Sequence, residues 1–209
     1  MCEPHCDAAS CAIKTGSAVS GKRPRPLALS CRKALQDGKD IAVDLFKDRL
    51  AWDSDAGTIT DGPARYVLIR ADALMGLFHG LAPADRPAAF AAFQYAVARF
   101  GGRSARRYHQ SRHAGDPDVL ALVAAGAPQL GWGSWSVDRS GEAIAITVEN
   151  SPFAAGFGDA GHGVCAPVAG MLQAAASIAF GRGMVAHERC CAAAGAKACR
   201  FELVPVPAT

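Results

Sequence analysis

A group of cysteines near the C-terminus constrains this chain more than any other feature of its sequence. The group consists of Cys165, Cys190, Cys191 and Cys199, with Glu188 beside them. Thiolates and carboxylates are accepted ligands of zinc, which takes four of them in tetrahedral geometry. Unligated buried thiols are the alternative interpretation, because free cysteine is often found in protein cores. If a metal is bound, the fold must bring residue 165 close to residues 188–199.

Local patterns around these residues favour such a convergence. Residues 184–190 and 197–204 are predicted to form neighbouring strands joined by a short turn, and residues 166–180 a helix of small residues. Adjacent residues of a strand point to opposite faces, so only one of Cys190 and Cys191 should face the metal. Regular alternation pairs Glu188 with Cys190, whereas Cys191 requires a bulge or the start of the turn. The spacing leaves this choice open.

The other elements predict an α+β fold with helices packed on an antiparallel sheet. Residues 129–137 and 143–149 alternate as strands, and residues 138–141 are the turn of their hairpin. Residues 66–69 are predicted to form a short strand that leads into a helix ending near residue 77.

A long helix is predicted over residues 83–100, and the glycine pair at 101–102 should end it. Asp116 is the expected N-cap of a further short helix over residues 116–124. One apolar face of the long helix should point into the core and contains Phe90, Phe93, Val97 and Phe100.

Composition excludes several classes of protein. Hydrophobic residues make up 50% of the 209 residues, too many for a collagen-like or wholly disordered chain. The net charge of +3 is too small to argue for binding to nucleic acid or to a membrane surface. No signal peptide or membrane span is visible, so we expect a cytoplasmic protein whose cysteines serve metal or redox chemistry rather than disulfides.

Two parts are predicted along the chain, namely an N-terminal arm at residues 1–33 and a single globular domain at residues 34–209. The arm carries six basic and two acidic side chains and has no apolar period. Its cysteines match no strong metal-binding spacing, so we interpret them as thiols of a disordered arm rather than a second metal or iron–sulfur site. These cysteines are Cys2, Cys6, Cys11 and Cys31.

Several of these residues resemble a known family, the 4-vinyl reductase domain family. The resemblance covers residues 129–205 and rests on Asn-Ser-Pro-Phe-Ala at 150–154, Cys165, Glu188, Cys191, Gly195 and Cys199. In phenol-sensing regulators with this domain a matching quartet binds structural zinc. The resemblance therefore implies a structural zinc ion on Cys165, Glu188, Cys191 and Cys199, and it favours Cys191 over Cys190. It also implies a hydrophobic ligand pocket between helices and sheet.

Aromatic residues and histidines are the candidates for lining that pocket. Trp132 and Trp135 are three positions apart, so a regular strand would point them to opposite faces. His109 and His113 would share one helix face, where a histidine can bind the central metal of a tetrapyrrole or hydrogen-bond a phenol. The arginines of this segment can pair with the propionates of a tetrapyrrole. Phe153 and Phe157 complete the candidate set.

Residues 156–161 match the GxGxxG pattern of dinucleotide-binding proteins. Only 48 residues follow Gly161, too few for a doubly wound sheet, and the acidic residue expected near 20 positions further on is missing. We therefore interpret this segment as a flexible loop at the entrance of the pocket.

The resemblance implies a role in bacteriochlorophyll biosynthesis, with a chlorophyllide-type tetrapyrrole as ligand. No nicotinamide, flavin or cluster motif is present, so we favour an accessory or carrier protein for pigment-biosynthesis enzymes over a self-sufficient 8-vinyl reductase. The alternative is a sensor or carrier of small aromatic compounds that acts through a partner protein. A zinc-stabilised interaction module is a third hypothesis. Because domains of this family often pair, a homodimer is also consistent with the resemblance.

Overall fold

Helices and antiparallel strands alternate along the chain in the computed structural model, which describes residues 46–111, 118–141 and 143–207. The predicted arm at residues 1–33 and His113 lie outside these ranges. The elements, in chain order, are α1 (Phe46–Arg49), β1 (Ala51–Asp53), β2 (Thr58–Asp61), β3 (Ala64–Tyr66), α2 (Ala71–His79), α3 (Arg86–Ala96), α4 (Gly102–Ser111), α5 (Val119–Gly126), β4 (Ser134–Asp138), β5 (Ile144–Glu149), α6 (Pro152–Phe157), α7 (Ala166–Phe180), β6 (Met184–Cys190) and β7 (Cys199–Pro205).

The C-terminal cysteines belong to a four-stranded antiparallel sheet with the strand order β4-β5-β7-β6. Buried and exposed residues alternate along its strands, as at Ile146 and Val148 in β5 and at Phe201 and Leu203 in β7. The buried face packs against α7, whose Leu172 is fully buried. The predicted α+β class, with helices packed on an antiparallel sheet, is confirmed.

The predicted end of the long helix at the glycine pair is wrong. The chain continues from α3 through one π-helical stretch, Val97–Gly101, directly into α4. Both glycines instead allow close packing on α7, because an added Cβ at Gly101 would meet Met171 Cε at 2.7 Å, and one at Gly102 would meet Ala174 Cβ at 3.1 Å. The π stretch also changes the helical phase, so Phe100, predicted to face the core, is 54% exposed.

The strand predicted from residue 129 begins only at Ser134, after a short 3₁₀ helix at Ala127–Leu130. Gly131 and Gly133 have φ angles of 71° and 85°, which reverse the chain before the strand starts. Trp132 therefore lies outside the regular strand. Trp132 and Trp135 consequently do not point to opposite faces of one strand, and the Trp135 indole donates a hydrogen bond to the Trp132 carbonyl oxygen at 2.9 Å.

Smaller differences concern the ends of predicted elements. β3 ends at Tyr66, so residues 67–69 are not part of a strand. The N-cap of α5 is Asp118, whose carboxylate accepts a hydrogen bond from the Ala121 backbone at 2.9 Å, and the expected cap Asp116 lies outside the described ranges. In the part of the chain that can be described, no helix has the length and hydropathy needed to cross a membrane.

Candidate metal centre

Four side chains converge at one edge of the four-stranded sheet. Their ligand atoms all lie within 4.8 Å of one another, and the four residues are Cys165, Glu188, Cys191 and Cys199. The Sγ atom of Cys165 is 3.9 Å from that of Cys191 and 3.6 Å from that of Cys199, and Cys191 and Cys199 are 3.9 Å apart. All three cysteines are almost completely buried. The structure thus brings together the quartet that the resemblance selected.

A β-bulge explains why Cys191 rather than Cys190 faces the cluster. Glu188 pairs with Phe201 and Cys190 with Arg200, so Arg189 is an extra residue in β6. Glu188 therefore shares the inner face with Phe201, and Cys190 is directed to the outer face with Arg200. Cys191 follows on the inner side and is 2% exposed. The spacing could not predict this bulge, which breaks the two-residue alternation.

Cys165 reaches the cluster from the start of α7, where it is the N-cap residue. Its backbone N–H donates a hydrogen bond to Glu188 Oε2 at 3.0 Å, which ties the helix start to β6. Sequence reasoning missed one further contact, because the Ser151 hydroxyl lies 3.2 Å from the Cys165 thiol sulfur. Ser151 is buried and caps α6. The signal for it was its place in the Asn-Ser-Pro-Phe-Ala run.

Acidic groups at these distances cannot all ionise without a positive charge among them. Burial raises the pKa of Glu188 to about 8, and a hydrogen bond with Cys191 adds to this shift. Hydrogen bonds to Cys191 and Cys199 raise the pKa of Cys165 far above that of an ordinary thiol. The pKa of Cys199 is lowered instead, because the thiols of Cys165 and Cys191 hydrogen-bond to its sulfur.

The geometry of the cluster fits a tetrahedral cation. Zinc–sulfur bonds of about 2.3 Å at tetrahedral angles place two sulfurs about 3.8 Å apart, and the observed separations are 3.6–3.9 Å. Glu188 Oε1 is buried and has no hydrogen-bond partner, which is the condition of an oxygen suited to ligate an ion. Three sulfurs and one carboxylate oxygen are a donor set that zinc accepts. The structure therefore contains a candidate site for one metal ion.

The predicted aromatic candidates form a separate packed cluster. Trp132 contacts Phe153 at 5.0 Å between ring centroids, and Phe153 contacts Phe93 at 6.5 Å. Phe157 contacts Phe90 at 5.9 Å. Together with Phe78, which stacks on Phe90 at 4.1 Å, these rings fill the space between α2, α3 and α6. We refer to Phe78, Phe90, Phe93, Trp132, Phe153 and Phe157 as the aromatic cluster.

The other predicted ligand-binding residues lie elsewhere. Trp135 is buried in β4, and its nearest tie to the aromatic cluster is the hydrogen bond to Trp132. His109 is exposed near the end of α4. Sequence reasoning did not select His79, whose Nε2 lies 3.0 Å from the carbonyl oxygen of Phe157 and whose ring contacts that of Phe157 at 4.2 Å.

Two open clefts flank the candidate metal centre, each with a volume of about 320 Å³. The first lies between α3 and the edge formed by α7 and β6, and we refer to it as the α3 cleft. Phe90, Gln94, Gly163, His187 and Glu188 are among its lining residues. The described members of the predicted ligand-binding set line neither cleft. Phe90 belongs both to the α3 cleft and to the aromatic cluster.

The GxGxxG segment has a packing role rather than the geometry of a nucleotide loop. Its first glycine, Gly156, lies within α6. A Cβ at this position would approach the carbonyl oxygen of Ala71 to 2.5 Å, so the glycine allows α6 and α2 to pack closely. The segment is therefore partly helical, which differs from the predicted flexible loop.

Comparisons with known proteins agree with this fold. Residues 144–205 match the family model of the 4-vinyl reductase domain, and this range lies within the 129–205 segment of the resemblance. The phenol-responsive sensory domain of the transcription activator PoxR, solved with phenol, superposes with a TM-score of 0.65 at 22% identity, covering 76% of this chain and 86% of that one. No curated protein sequence gives a significant match.

A vinyl-4-reductase family protein from Methanocaldococcus jannaschii superposes with a TM-score of 0.45 at 15% identity, covering 66% of this chain and 91% of that one. At 22% identity, the likeness to the sensory domain shows a shared fold. The resemblance seen in the sequence is confirmed by the match to the family model, which includes Cys165, Glu188, Cys191 and Cys199.

Proposed function

We propose that this chain, in which residues 144–205 match the 4-vinyl reductase domain, is a zinc-stabilised protein that binds a small hydrophobic molecule and signals through a partner protein. The single observation that carries the proposal is the convergence of three thiols and one carboxylate within 4.8 Å. The fold likeness to a phenol-responsive sensory domain supports the ligand-binding part.

The metal part of the proposal assigns structural zinc to Cys165, Glu188, Cys191 and Cys199. Zinc would supply a fixed link among the start of α7, the end of β6 and the start of β7. The buried Glu188 Oε1, which has no hydrogen-bond partner, supports this assignment. With four protein ligands the metal has no open position for a catalytic water, so we infer a structural rather than a hydrolytic role.

Metal analysis of the purified protein tests this assignment. We expect one zinc ion per chain and visible cobalt–thiolate absorption after exchange of zinc for cobalt. Removal of the metal by a chelator should lower the melting temperature, since metal binding and folding are coupled in structural sites. Absence of bound metal, with no response of the melting temperature to added zinc, would contradict the proposal.

For the ligand, we infer a small aromatic compound that enters from the α3 cleft next to the aromatic cluster. Phe90 supports this inference because it lines the cleft and also contacts Phe78 and Phe157. The cleft volume of about 320 Å³ is at the lower end of the usual range for ligand sites. A compound the size of phenol suits that volume better than a tetrapyrrole does.

Tryptophan fluorescence of the zinc-loaded protein tests the ligand class. Trp132 belongs to the aromatic cluster, whereas Trp52 is 61% exposed. A Trp52→Phe variant therefore removes exposed background and leaves Trp132 and Trp135 as reporters. Saturable quenching by phenol or cresol supports the sensor proposal. Saturation by a divinyl magnesium tetrapyrrole alone would instead support the pigment carrier that the sequence suggested.

The role in bacteriochlorophyll biosynthesis remains a hypothesis of the second rank. It predicts contacts with pigment-biosynthesis enzymes, and exposed arginines of α4, such as Arg103 and Arg106, would pair with propionate groups. An 8-vinyl reductase activity would in addition need a reductant bound by this chain or a partner. A cytoplasmic location also remains a prediction.

We further infer that two copies pair as a homodimer. Three consecutive apolar residues support this inference, since Val67, Leu68 and Ile69 are 81%, 75% and 55% exposed. A Leu68→Glu variant should therefore be monomeric in analytical ultracentrifugation while the wild type is dimeric. Gln110→Glu, which adds the same charge at another exposed position, is the control. A monomeric wild type at micromolar concentration would contradict the inference.

A further inference from the structure

The carboxylate of Glu188 is the least constrained member of the candidate metal centre by its own chemistry. It has three flexible side-chain torsions, whereas each cysteine sulfur is one torsion away from the backbone. Yet its two oxygens have different surroundings. Oε2 accepts the hydrogen bond from the Cys165 backbone at 3.0 Å, and Oε1 is buried without a partner. Something must hold the carboxylate in this orientation.

Gly163 lies directly against this carboxylate. A Cβ built on Gly163 would be 2.6 Å from Glu188 Oε2, 3.0 Å from Cδ and 3.4 Å from Cγ. Contacts below 3.0 Å essentially do not occur for real Cβ atoms, so the smallest side chain would displace the carboxylate. The displaced atoms are the flexible end of a side chain, which means that the backbone need not move.

The loop that carries Gly163 is held at several points. The Ala160 N–H donates a hydrogen bond to the Ala193 carbonyl oxygen at 2.8 Å, and the His162 Nδ1 atom lies 3.0 Å from the Gly163 carbonyl oxygen. The Cys165 N–H closes the loop onto Glu188. Because the loop is fixed on both sides of residue 163, a new side chain there would press on Glu188 rather than shift the loop.

The requirement for glycine at this position does not come from backbone conformation. The φ angle of Gly163 lies outside the left-handed region, unlike that of Gly161 at 67°. An alanine at 163 therefore causes no backbone strain of the kind that left-handed glycines relieve. Any effect of Gly163→Ala should be transmitted through Glu188.

We propose that Gly163 is a positioning residue of the metal centre: the absence of a side chain there, together with the Cys165 N–H, fixes Glu188 so that Oε1 points at the ion. This inference rests on the proposed metal site. It assigns monodentate ligation to Oε1 and leaves Oε2 to the hydrogen bond from Cys165. Residues that orient metal ligands typically change metal affinity by about 10–100-fold when they are altered.

The test is a double-mutant cycle on zinc affinity, measured by competition with a chromophoric chelator on the full chain. Gly163→Ala should weaken zinc binding about tenfold or more, within the range for orienting residues. In a Glu188→Ala background the same substitution should have no further effect, since no carboxylate remains to be displaced. The melting temperature of the metal-free protein should be the same for wild type and Gly163→Ala.

Gly126→Ala is the matched control, because nothing lies within 4 Å of a Cβ at that position and its φ angle is also outside the left-handed region. It should leave zinc affinity unchanged. Cobalt spectra add a second readout: Gly163→Ala should alter the ligand-field bands, whereas Gly126→Ala should not.

The outcomes separate the two proposals. If the wild type binds no zinc, the proposed metal site itself fails. If the wild type binds zinc and Gly163→Ala binds it equally well, the positioning role is wrong while the metal site stands. An equal loss of affinity in the wild-type and Glu188→Ala backgrounds would also overturn the positioning role, since the effect would then come from the loop and not from the carboxylate.

Discussion

The two halves of the described chain contribute very differently to the core. Of 27 buried hydrophobic residues, only three, Met75, Phe78 and Ala105, come from residues 46–111, and the others come from residues 119–203. The exposed large hydrophobics have the opposite distribution, since eight of the eleven lie within residues 52–100. The sheet and α7 thus enclose their own core, whereas the N-terminal half packs against that core and leaves apolar surface uncovered.

This difference separates two sources of order. In the C-terminal half, stability is expected from burial and from the metal centre together. The N-terminal half depends on contacts with α7 and α6, such as Phe93 with Phe153, and on whatever covers residues 67–69. The contrast predicts that equal substitutions have unequal effects in the two halves.

The largest effect is expected at the metal centre. Cys199→Ser should release the metal and lower the free energy of unfolding by several kcal/mol, because site and fold form together. Cys190→Ser should retain the metal, since the bulge turns Cys190 away from the cluster. Metal content and denaturant unfolding measure both variants. Retention of full metal content in Cys199→Ser would show that this sulfur is not a ligand.

A matched pair of leucines gives the next largest effect. Leu172→Ala in α7 removes a fully buried side chain and should cost about 2–5 kcal/mol. Leu77→Ala in α2 removes a side chain that is 65% exposed, and it should change stability by less than about 0.5 kcal/mol. Urea unfolding of the metal-loaded variants compares them. Equal losses would mean that the N-terminal half is covered in solution, as a homodimer would require.

The crossing of α3 and α7 predicts an intermediate effect. A Cβ at Gly170 would collide with the backbone carbonyl of Gln94, so Gly170→Ala should destabilise by about 1–3 kcal/mol. Gly126→Ala, in open space within α5, should instead be neutral or stabilising by up to about 1 kcal/mol. Thermal unfolding distinguishes the two. A neutral Gly170→Ala would show that the two halves can separate at little cost.

The smallest effect is expected at the N-cap of α5, where the second half begins. Asp118→Ala should cost about 1 kcal/mol by removing the cap. Burial alone would raise the pKa of Asp118, but the Ala121 N–H and Arg139 outweigh burial and hold this pKa below its usual value. This stabilisation is therefore present above about pH 4 and is lost as the pH falls through the lowered pKa. The stability difference between wild type and Asp118→Ala should shrink below pH 4.

Sequence reasoning worked best where local pattern and final structure coincide. The bounds of α7 and β6 agree with residues 166–180 and 184–190, because capping, length and alternation all act within those segments. The identity of the four clustered residues also followed from the sequence, through the resemblance rather than the spacing. The bulge at Arg189 arises from pairing with β7, and no local pattern could reveal it.

Errors occurred where a glycine serves packing or chain reversal at a distance. Gly101 and Gly102 looked like a helix end, but their role is contact with α7. Gly133 looked like part of a strand, but its φ angle of 85° belongs to the turn that precedes the strand. In both cases the deciding partner is far away in sequence. The same reason explains why Gly163 did not stand out.

The bulge in β6 has a consequence for how such sites are traced through evolution. A chain lacking Arg189 would read Glu-Cys-Cys and, with ordinary alternation, would still direct its first and third residues to the same face. The extra residue is therefore equivalent to a single-codon insertion that the strand absorbs without losing either ligand. A search that demands a fixed gap between the carboxylate and the following cysteine would discard a homologue carrying the same site, whereas one that tolerates a single-residue indel there would retain it.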